Sequence, residues 1–239
     1  MAEAVENVLK SYGVSVITGA GLKEIKEGTA VYTKNGEEDT LDGDAILLAT
    51  GRGPNTEGLH AERAGVELTK RGAVVTDKHL RTTAENIWAA GDVCGNLQFT
   101  YISLDDSRII LSDMQGDGSR TTENRGAFAY SVFMEPSFSR AGLSEKEAAD
   151  KGLNYRVVRM NTDMIPKAKV LRKTTGMLKA VIDKDSGKIF GVALFCPESY
   201  EIINMVKLAM DHDLDYTVLR DFIYTHPTMS EGLNDLFSL

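Results

Sequence analysis

The chain has few of the residues that hold extracellular proteins together. Among its 239 residues there are two cysteines, Cys94 and Cys196, about a hundred positions apart. Secreted domains depend on paired cysteines in oxidising compartments, so this number excludes a disulfide scaffold and favours a reducing, cytoplasmic location. We expect both thiols to be buried as small hydrophobic side chains.

Positive charge and long apolar runs are also scarce. Lys and Arg number 27 against 35 Asp and Glu, the net charge is −8, and the basic residues are scattered. A surface with net negative charge and no basic patch does not complement the negative phosphate backbone of nucleic acid, so nucleic acid is not expected as a partner. No apolar run reaches the roughly 18 residues of a membrane span, and no group of His, Cys and carboxylates has metal-ligand spacing. We therefore expect no membrane partner and no metal site.

The composition is otherwise that of a globular protein, with 42% hydrophobic and 26% charged residues. Periodicity and turn residues predict helices over 2–12, 102–114 and 199–212, and strands over 14–17, 22–25, 30–33, 40–41, 45–49, 87–90, 155–161, 176–182 and 188–195. Asn35-Gly36 and Asp185-Ser186-Gly187 predict hairpin turns. Ser144-x-x-Glu147 predicts a capped helix that stops at Gly152.

The segment 225–231, Thr-His-Pro-Thr-Met-Ser-Glu, allows two interpretations. Histidine is the side chain whose unperturbed pKa lies closest to neutrality, and a carboxylate on the second ring nitrogen of His226, supplied by Glu231, would fix the tautomer for acid/base catalysis. Thr228-x-x-Glu231 is equally the pattern of a capping box at the start of a helix. These seven residues alone favour the cap.

Two glycine-containing strand ends point to a ligand site. The apolar run 45–49 leads into Gly51-Arg52-Gly53, and the run 87–90 leads into Gly91-Asp92. Glycine at a strand end allows the backbone to approach a ligand, and an aspartate there accepts hydrogen bonds from sugar-like hydroxyls. Each pattern alone is usually a simple turn, whereas both together with the His-Pro tail, in this order, are far more specific.

In these segments the sequence resembles the flavoprotein pyridine nucleotide-disulfide reductases, which include dihydrolipoamide dehydrogenase, glutathione reductase and mercuric reductase. The resemblance covers nearly the whole chain and rests on Ala49-Thr50-Gly51-Arg52-x-Pro54-Asn55, Ala90-Gly91-Asp92 and His226-Pro227-Thr228-x-Ser230-Glu231. The stretch from Gln98 to Asp106 and the final Leu233-Asn234-Asp235-Leu236-Phe237 resemble a bacterial subgroup associated with resistance to reactive chlorine and hypothiocyanous acid.

The resemblance implies specific roles. His226 and Glu231 are the implied acid/base pair, and Pro227 is implied to follow a cis peptide bond. Gly91 and Asp92 are implied to hold the ribityl chain of FAD. Further implied cofactor-binding residues are Gly51 beside the nicotinamide cofactor, and Gln98, Phe99, Thr100 and Tyr101 at the pyrimidine end of the flavin. Many family members carry an aliphatic-Ala-His run where this chain has 98–101, which leaves the substrate assignment open.

Family motifs that are missing define what the chain is. The family opens with a Gly-x-Gly-x-x-Gly unit and a Cys-x-x-x-x-Cys dithiol, and a second glycine fingerprint follows; none is in this sequence. We therefore expect the C-terminal half of a longer enzyme that binds neither FAD nor NAD(P)H tightly by itself and is inactive alone.

The resemblance implies a mixed α/β and α+β architecture. We expect remnants of Rossmann-type NAD(P)-binding (1–49) and FAD-binding (50–122) domains. An α+β dimerisation domain (123–239), an antiparallel sheet flanked by helices, should follow. The implied partners are a second copy, forming a homodimer, and a small-molecule electron acceptor. Two alternatives remain: an isolated dimerisation module without activity, and a single-flavin NAD(P)H oxidoreductase, which would lack the His-Pro tail.

Overall fold

Two compact units make up the structure, which is a computed structural model describing residues 1–239. The first unit comprises residues 1–18 and 126–239, and the second comprises residues 19–125. In chain order the elements are α1 (Ala2–Ser11), β1 (Ala20–Lys26), β2 (Thr29–Lys34), β3 (Glu37–Asp42), α2 (Thr100–Gln115), β4 (Ala129–Val132), β5 (Phe138–Gly142), α3 (Glu145–Asp150), β6 (Tyr155–Asn161), α4 (Pro166–Leu171), β7 (Met177–Asp183), β8 (Ile189–Phe195), α5 (Ser199–Asp211), α6 (Tyr216–Asp221) and α7 (Gly232–Ser238).

An antiparallel sheet in the order β4-β5-β8-β7-β6 forms the core of the first unit. Strands β7 and β8 are joined at the predicted turn, where Gly187 has a φ of +71° that a side chain would disfavour. Helix α5 packs on β5 and β8, and α7 packs on β6 and β7. The core contains side chains with no more than 2% exposure, including Leu178, Ile182, Leu194, Ile202, Val206, Leu233 and Leu236.

The second unit contains a three-stranded meander and a long irregular segment that leads to α2. Strands β1, β2 and β3 pair antiparallel, and Asn35 and Gly36 between β2 and β3 both have positive φ, as the predicted hairpin requires. Near its C-terminus, α2 is anchored by Asp113, whose buried carboxylate accepts hydrogen bonds from Arg81 and from Trp88 Nε1 at 2.9 Å.

Three strand predictions are wrong. Residues 14–17 and 45–49 form no strand, and residues 87–90 make a single bridge, from Trp88 to Arg81. Leu47 is 89% exposed, although the sequence pattern predicts it to be buried. A strand exists only through hydrogen bonds to a neighbour, and none of these runs finds a continuous ladder within this chain.

The predicted fold class is nevertheless confirmed, since two antiparallel sheets occur with helices and the later sheet is flanked by helices as expected. The capping box of α3 and the helix over 199–211 are also present. The predicted domain boundaries at 49 and 122 remain predictions. None of the helices combines the length and apolar character needed to cross a bilayer.

The capping box of α3 generates a prediction about acid stability. The Ser144 N–H donates to Glu147 Oε2 at 2.7 Å and lowers the pKa of this half-exposed carboxyl from 4.5 to about 2. A depressed pKa stabilises the fold fully above the unfolded value and loses that contribution as pH falls through the folded value. We expect Glu147→Gln to lower the free energy of unfolding near neutral pH by about 1 kcal/mol or less, because solvent screens the site.

Urea unfolding at several pH values from neutral to about 2 checks this expectation. The difference between Glu147→Gln and the unmodified chain should shrink between the two pKa values. Glu201→Gln is the matched control, because Glu201 lies in the first turn of α5 without a cap hydrogen bond. Equal effects of the two substitutions would contradict the role given to the capping box.

Candidate functional site

His226 and Glu231 are in direct contact. His226 Nδ1 lies 2.8 Å from Glu231 Oε2, and the intervening His226-Pro227 peptide bond is cis, as the resemblance implied. The His226 side chain is 69% exposed, whereas that of Glu231 is 13% exposed. The carboxylate is thus held on the protein side of the ring, and Nε2 makes no hydrogen bond within the chain.

The competing capping box is only half formed. The Thr228 hydroxyl accepts a hydrogen bond from the Glu231 N–H at 3.4 Å and donates to the Thr225 carbonyl at 2.8 Å. The Glu231 carboxylate does not return to the Thr228 backbone. One of its oxygens contacts His226, and the other, Oε1, is buried without a hydrogen bond. Thr228 therefore supports the turn, and the carboxylate remains available to the imidazole.

Packing on both sides of the tail fixes the position of the pair. Met229 is 1% exposed, and Leu233 and Leu236 on α7 are fully buried in the core of the first unit. The Asn234 side chain donates to the carbonyls of Leu219, Arg220 and Phe222 at 3.3, 2.6 and 2.9 Å, which ties α7 to the segment before His226. The ten loop residues 222–231 are therefore held between α6 and α7.

In the second unit, the two predicted strand ends meet. Arg52 Nη1 lies 3.6 Å from Asp92 Oδ2, so the Gly51 segment and the Gly91-Asp92 turn are neighbours. Gly91 has φ +76°, and a Cβ there would lie 2.8 Å from Ser103 Oγ. Gly51 has φ +113°. The Asp92 side chain is 43% exposed and can accept hydrogen bonds from an external hydroxyl group.

Residues 98–101 form the entrance to α2. Gln98 and Phe99 are half-buried, Thr100 and Tyr101 are exposed, and partial burial raises the pKa of the Tyr101 phenol. No side chain caps the N-terminus of α2, and its first turn contains no acidic residue. Such an end carries a partial positive charge with backbone N–H groups directed outward, which suits an anionic or electron-rich ligand.

A buried ionic cluster on α2 was not predicted. Asp105 and Asp106 are 8% and 3% exposed, and Arg125 pairs with both. A signal for it exists in the sequence, because positions 102, 105, 106 and 109 share one helix face and two of them carry charge. Charges on an otherwise apolar face require partners, but the sequence does not reveal which ones.

Both cysteines are free and buried, as expected. Burial raises the pKa of the Cys94 thiol to about 11 and that of Cys196 to about 12. Neither thiol forms a thiolate readily near neutral pH, so neither can serve as a redox nucleophile. No group of three or more His, Cys, Asp or Glu side chains is arranged to hold a metal ion.

Comparison with protein families gives two adjacent matches. Residues 1–107 match the model described as pyridine nucleotide-disulphide oxidoreductase, and residues 128–237 match the dimerisation domain of the same family. The second match covers the antiparallel sheet and the His226–Glu231 pair.

Individual relatives agree with these matches. The chain is 46% identical over 239 residues to a probable pyridine nucleotide-disulfide oxidoreductase, RclA, of Escherichia coli strain K12, covering 100% of this chain and 54% of that protein. It is 33% identical to a mercuric reductase of Staphylococcus aureus, covering 98% of this chain and 43% of the relative. The solved structure of the HOCl-induced flavoprotein disulfide reductase RclA from Escherichia coli superposes with a TM-score of 0.91 at 46% identity, covering 100% of this chain and 55% of that one. The chain thus spans about half the length of these relatives.

Thiol labelling tests the buried state of the cysteines. A pH near 8 is well below the raised pKa values of both thiols, so both remain protonated. We therefore expect almost no reaction of the folded chain with a disulfide reagent. Complete labelling is expected after unfolding in guanidinium. On partial unfolding, Cys94 at 8% exposure should react before the fully buried Cys196, and a Cys196→Ser variant measures the reaction of Cys94 alone. Fast labelling of either thiol in the folded chain would contradict this account.

Proposed function

The chain belongs to the pyridine nucleotide-disulphide oxidoreductase family, and on that premise we propose that it is the C-terminal half of a flavoprotein disulfide reductase. The complete enzyme would pass electrons from NAD(P)H through FAD and a dithiol, which is not in this chain, to a thiol-reactive, disulfide or metal-ion acceptor. The observation that carries this proposal is the 2.8 Å contact between His226 Nδ1 and Glu231 Oε2, which leaves Nε2 open to a reacting thiol.

The pair is suited to proton transfer at Nε2. A carboxylate on Nδ1 favours the tautomer with its proton on Nδ1, so that Nε2 has a free lone pair and can accept a proton from a thiol. The imidazolium that results is stabilised by the Glu231 charge, and it can then protonate the leaving thiolate or the acceptor. Because Glu231 is largely buried, its carboxylate holds the ring in one orientation.

The second unit supplies residues that fit FAD. Asp92 would accept hydrogen bonds from the ribityl hydroxyls, and Gly91 would allow close approach of the backbone. The uncapped N-terminus of α2 at Thr100 and Tyr101 would stabilise negative charge at the pyrimidine end of the ring, with Gln98 and Phe99 leading into it. Gly51 would lie along the path of the nicotinamide cofactor. When bound, FAD would supply the conversion of hydride transfer from NAD(P)H into electron-pair transfer to a disulfide.

We further propose that the site is completed in a homodimer, with His226 and Glu231 serving the second subunit's dithiol. Exposed apolar side chains within the match to the dimerisation domain support this assignment. Leu208 on α5 is 59% exposed, Phe222 is 55% exposed and Ile223 is 92% exposed. Apolar side chains this exposed, in a segment that matches a dimerisation domain, are typical of a subunit interface.

The two other functions are less well supported. The role of an isolated dimerisation module does not account for a largely buried Glu231 carboxylate in contact with the exposed His226 ring. A single-flavin oxidoreductase likewise needs no acid/base pair at a thiol. The substitutions that follow separate these functions.

We expect His226→Ala in the full-length enzyme to lower turnover with a thiol-reactive acceptor by about 10²- to 10⁴-fold, the usual contribution of a positioned acid/base. Reduction of the enzyme by NAD(P)H should change little, because the imidazole acts at the thiol. Glu231→Gln should cost less, since the amide still offers an acceptor and loses only the charge. Stopped-flow measurement of the two half-reactions checks the split.

A structural role in capping α7 would give the reverse pattern. His226→Ala would then be mild, and Glu231→Gln would lower the melting temperature more than the turnover. Thr228→Ala is the matched control, because it removes the hydroxyl that supports the turn and leaves the His226–Glu231 pair in place. Unchanged acceptor turnover in His226→Ala would exclude the acid/base assignment.

For the dimer, we expect Ile223→Glu to weaken self-association by at least about tenfold, because a charge would be buried at the interface. Leu41→Glu is the control: Leu41 is 58% exposed on β3 and lies outside the match to the dimerisation domain. Sedimentation equilibrium at micromolar concentrations measures both variants. Equal association of the two variants would place the interface elsewhere.

A further inference from the structure

We propose that Asp106, held by Arg125, is a positioning residue that sets the Gly91-Asp92 turn for flavin binding. The inference rests on the proposed function, since it assumes that Asp92 contacts FAD. It concerns a buried residue on α2 whose carboxylate accepts a hydrogen bond from the Gly91 backbone and pairs with Arg125.

The contact itself is short and buried. The Gly91 N–H donates to Asp106 Oδ2 at 2.7 Å, and both residues are buried in the second unit. A hydrogen bond to a buried carboxylate is among the stronger ones in proteins, and loss of the acceptor leaves an unsatisfied N–H. Gly91 is therefore held at one point of its backbone.

An ion pair orients the Asp106 carboxylate. Arg125 Nη2 contacts Asp106 Oδ1, so the other oxygen is directed at Gly91. Arg125 Nε lies 3.1 Å from Asp105 Oδ2, and Arg120 Nε lies 3.1 Å from Asp105 Oδ1. Two carboxylates and two guanidinium groups thus balance in charge, which makes their burial tolerable.

The two neighbouring aspartates differ in one respect that matters. Both are buried on the same face of α2 and both contact Arg125, but no hydrogen bond joins Asp105 to the turn at residues 91–94. Asp105 is therefore a matched control for Asp106. Removing either carboxylate disturbs the same charge cluster, and only the loss of Asp106 releases Gly91.

Fixing Gly91 has a direct consequence for Asp92. Ser103 on α2 lies against the Cα side of Gly91, where a Cβ would meet its Oγ at 2.8 Å, and Asp106 holds the N–H. The adjacent Asp92 side chain is then presented outward, 43% exposed and 3.6 Å from Arg52. Because α2 also provides the uncapped N-terminus at Thr100, a single helix sets the spacing of the two elements that would contact one flavin.

The test uses the full-length protein and measures FAD dissociation, the flavin absorption spectrum and the flavin midpoint potential. We expect Asp106→Ala to weaken FAD binding by about tenfold to a hundredfold and to shift the potential. Asp105→Ala should weaken binding by about threefold or less at a similar loss of melting temperature. Asp106→Asn, which keeps an acceptor for Gly91, should recover part of the affinity lost in Asp106→Ala.

Other results would overturn the inference. Equal FAD affinities of Asp105→Ala and Asp106→Ala would reduce Asp106 to a member of the charge cluster. An Asp106→Asn variant no better than Asp106→Ala would remove the hydrogen bond from the explanation. If Asp106→Ala does not fold, comparison of Asp106→Asn with Asp105→Asn decides the question, and equal affinity and potential would refute the proposal.

Asp92→Ala separates this inference from the function on which it rests. If Asp92→Ala leaves FAD affinity unchanged, the proposed flavin role of the turn fails and the inference fails with it. If Asp92→Ala weakens binding and the Asp106 variants behave like those of Asp105, only the positioning role is refuted.

Discussion

The Glu231 carboxylate contacts an imidazole instead of closing the cap of the helix that follows it, and the candidate acid/base site depends on that interaction. Of the two carboxylate oxygens, Oε2 contacts His226 Nδ1 and Oε1 is buried without a hydrogen bond, so neither one closes the cap. Here the cap is not needed, because Leu233 and Leu236 anchor α7 in the core and Asn234 ties it to the preceding segment. Because tertiary packing anchors α7 without the cap, the Glu231 carboxylate can contact His226 instead.

The same principle operates in the second unit. Asp106 is a buried carboxylate with one oxygen paired to Arg125 and the other bonded to the Gly91 backbone. In both places a largely buried carboxylate holds a neighbouring group: Glu231 holds the His226 ring, and Asp106 holds the Gly91 backbone next to Asp92. The His226 and Asp92 side chains are the ones exposed to solvent. Shielding strengthens these contacts, since a lower local dielectric constant makes a satisfied hydrogen bond stronger and an unsatisfied one more costly.

Local patterns predicted the elements whose partners are near in sequence. The hairpins at Asn35-Gly36 and at 185–187 follow from residues that accept positive φ, and the α3 cap follows from Ser144 and Glu147. The runs 14–17, 45–49 and 87–90 have the composition of buried strands but form no ladder in this chain. Composition predicts the tendency to pair, whereas pairing itself requires a second strand at the correct distance.

For the candidate site, the sequence by itself determined which residues are chemically competent: an imidazole, a carboxylate five positions later, and glycine-aspartate at a strand end. It also determined the family, because these motifs occur in a fixed order. Only the tertiary structure decided between the cap and the acid/base pair, and only it assigned Asp106 rather than Asp105 to Gly91. Both choices depend on which groups come within hydrogen-bonding distance, 2.8 Å for His226 and Glu231 and 2.7 Å for Gly91 and Asp106, and packing sets such distances.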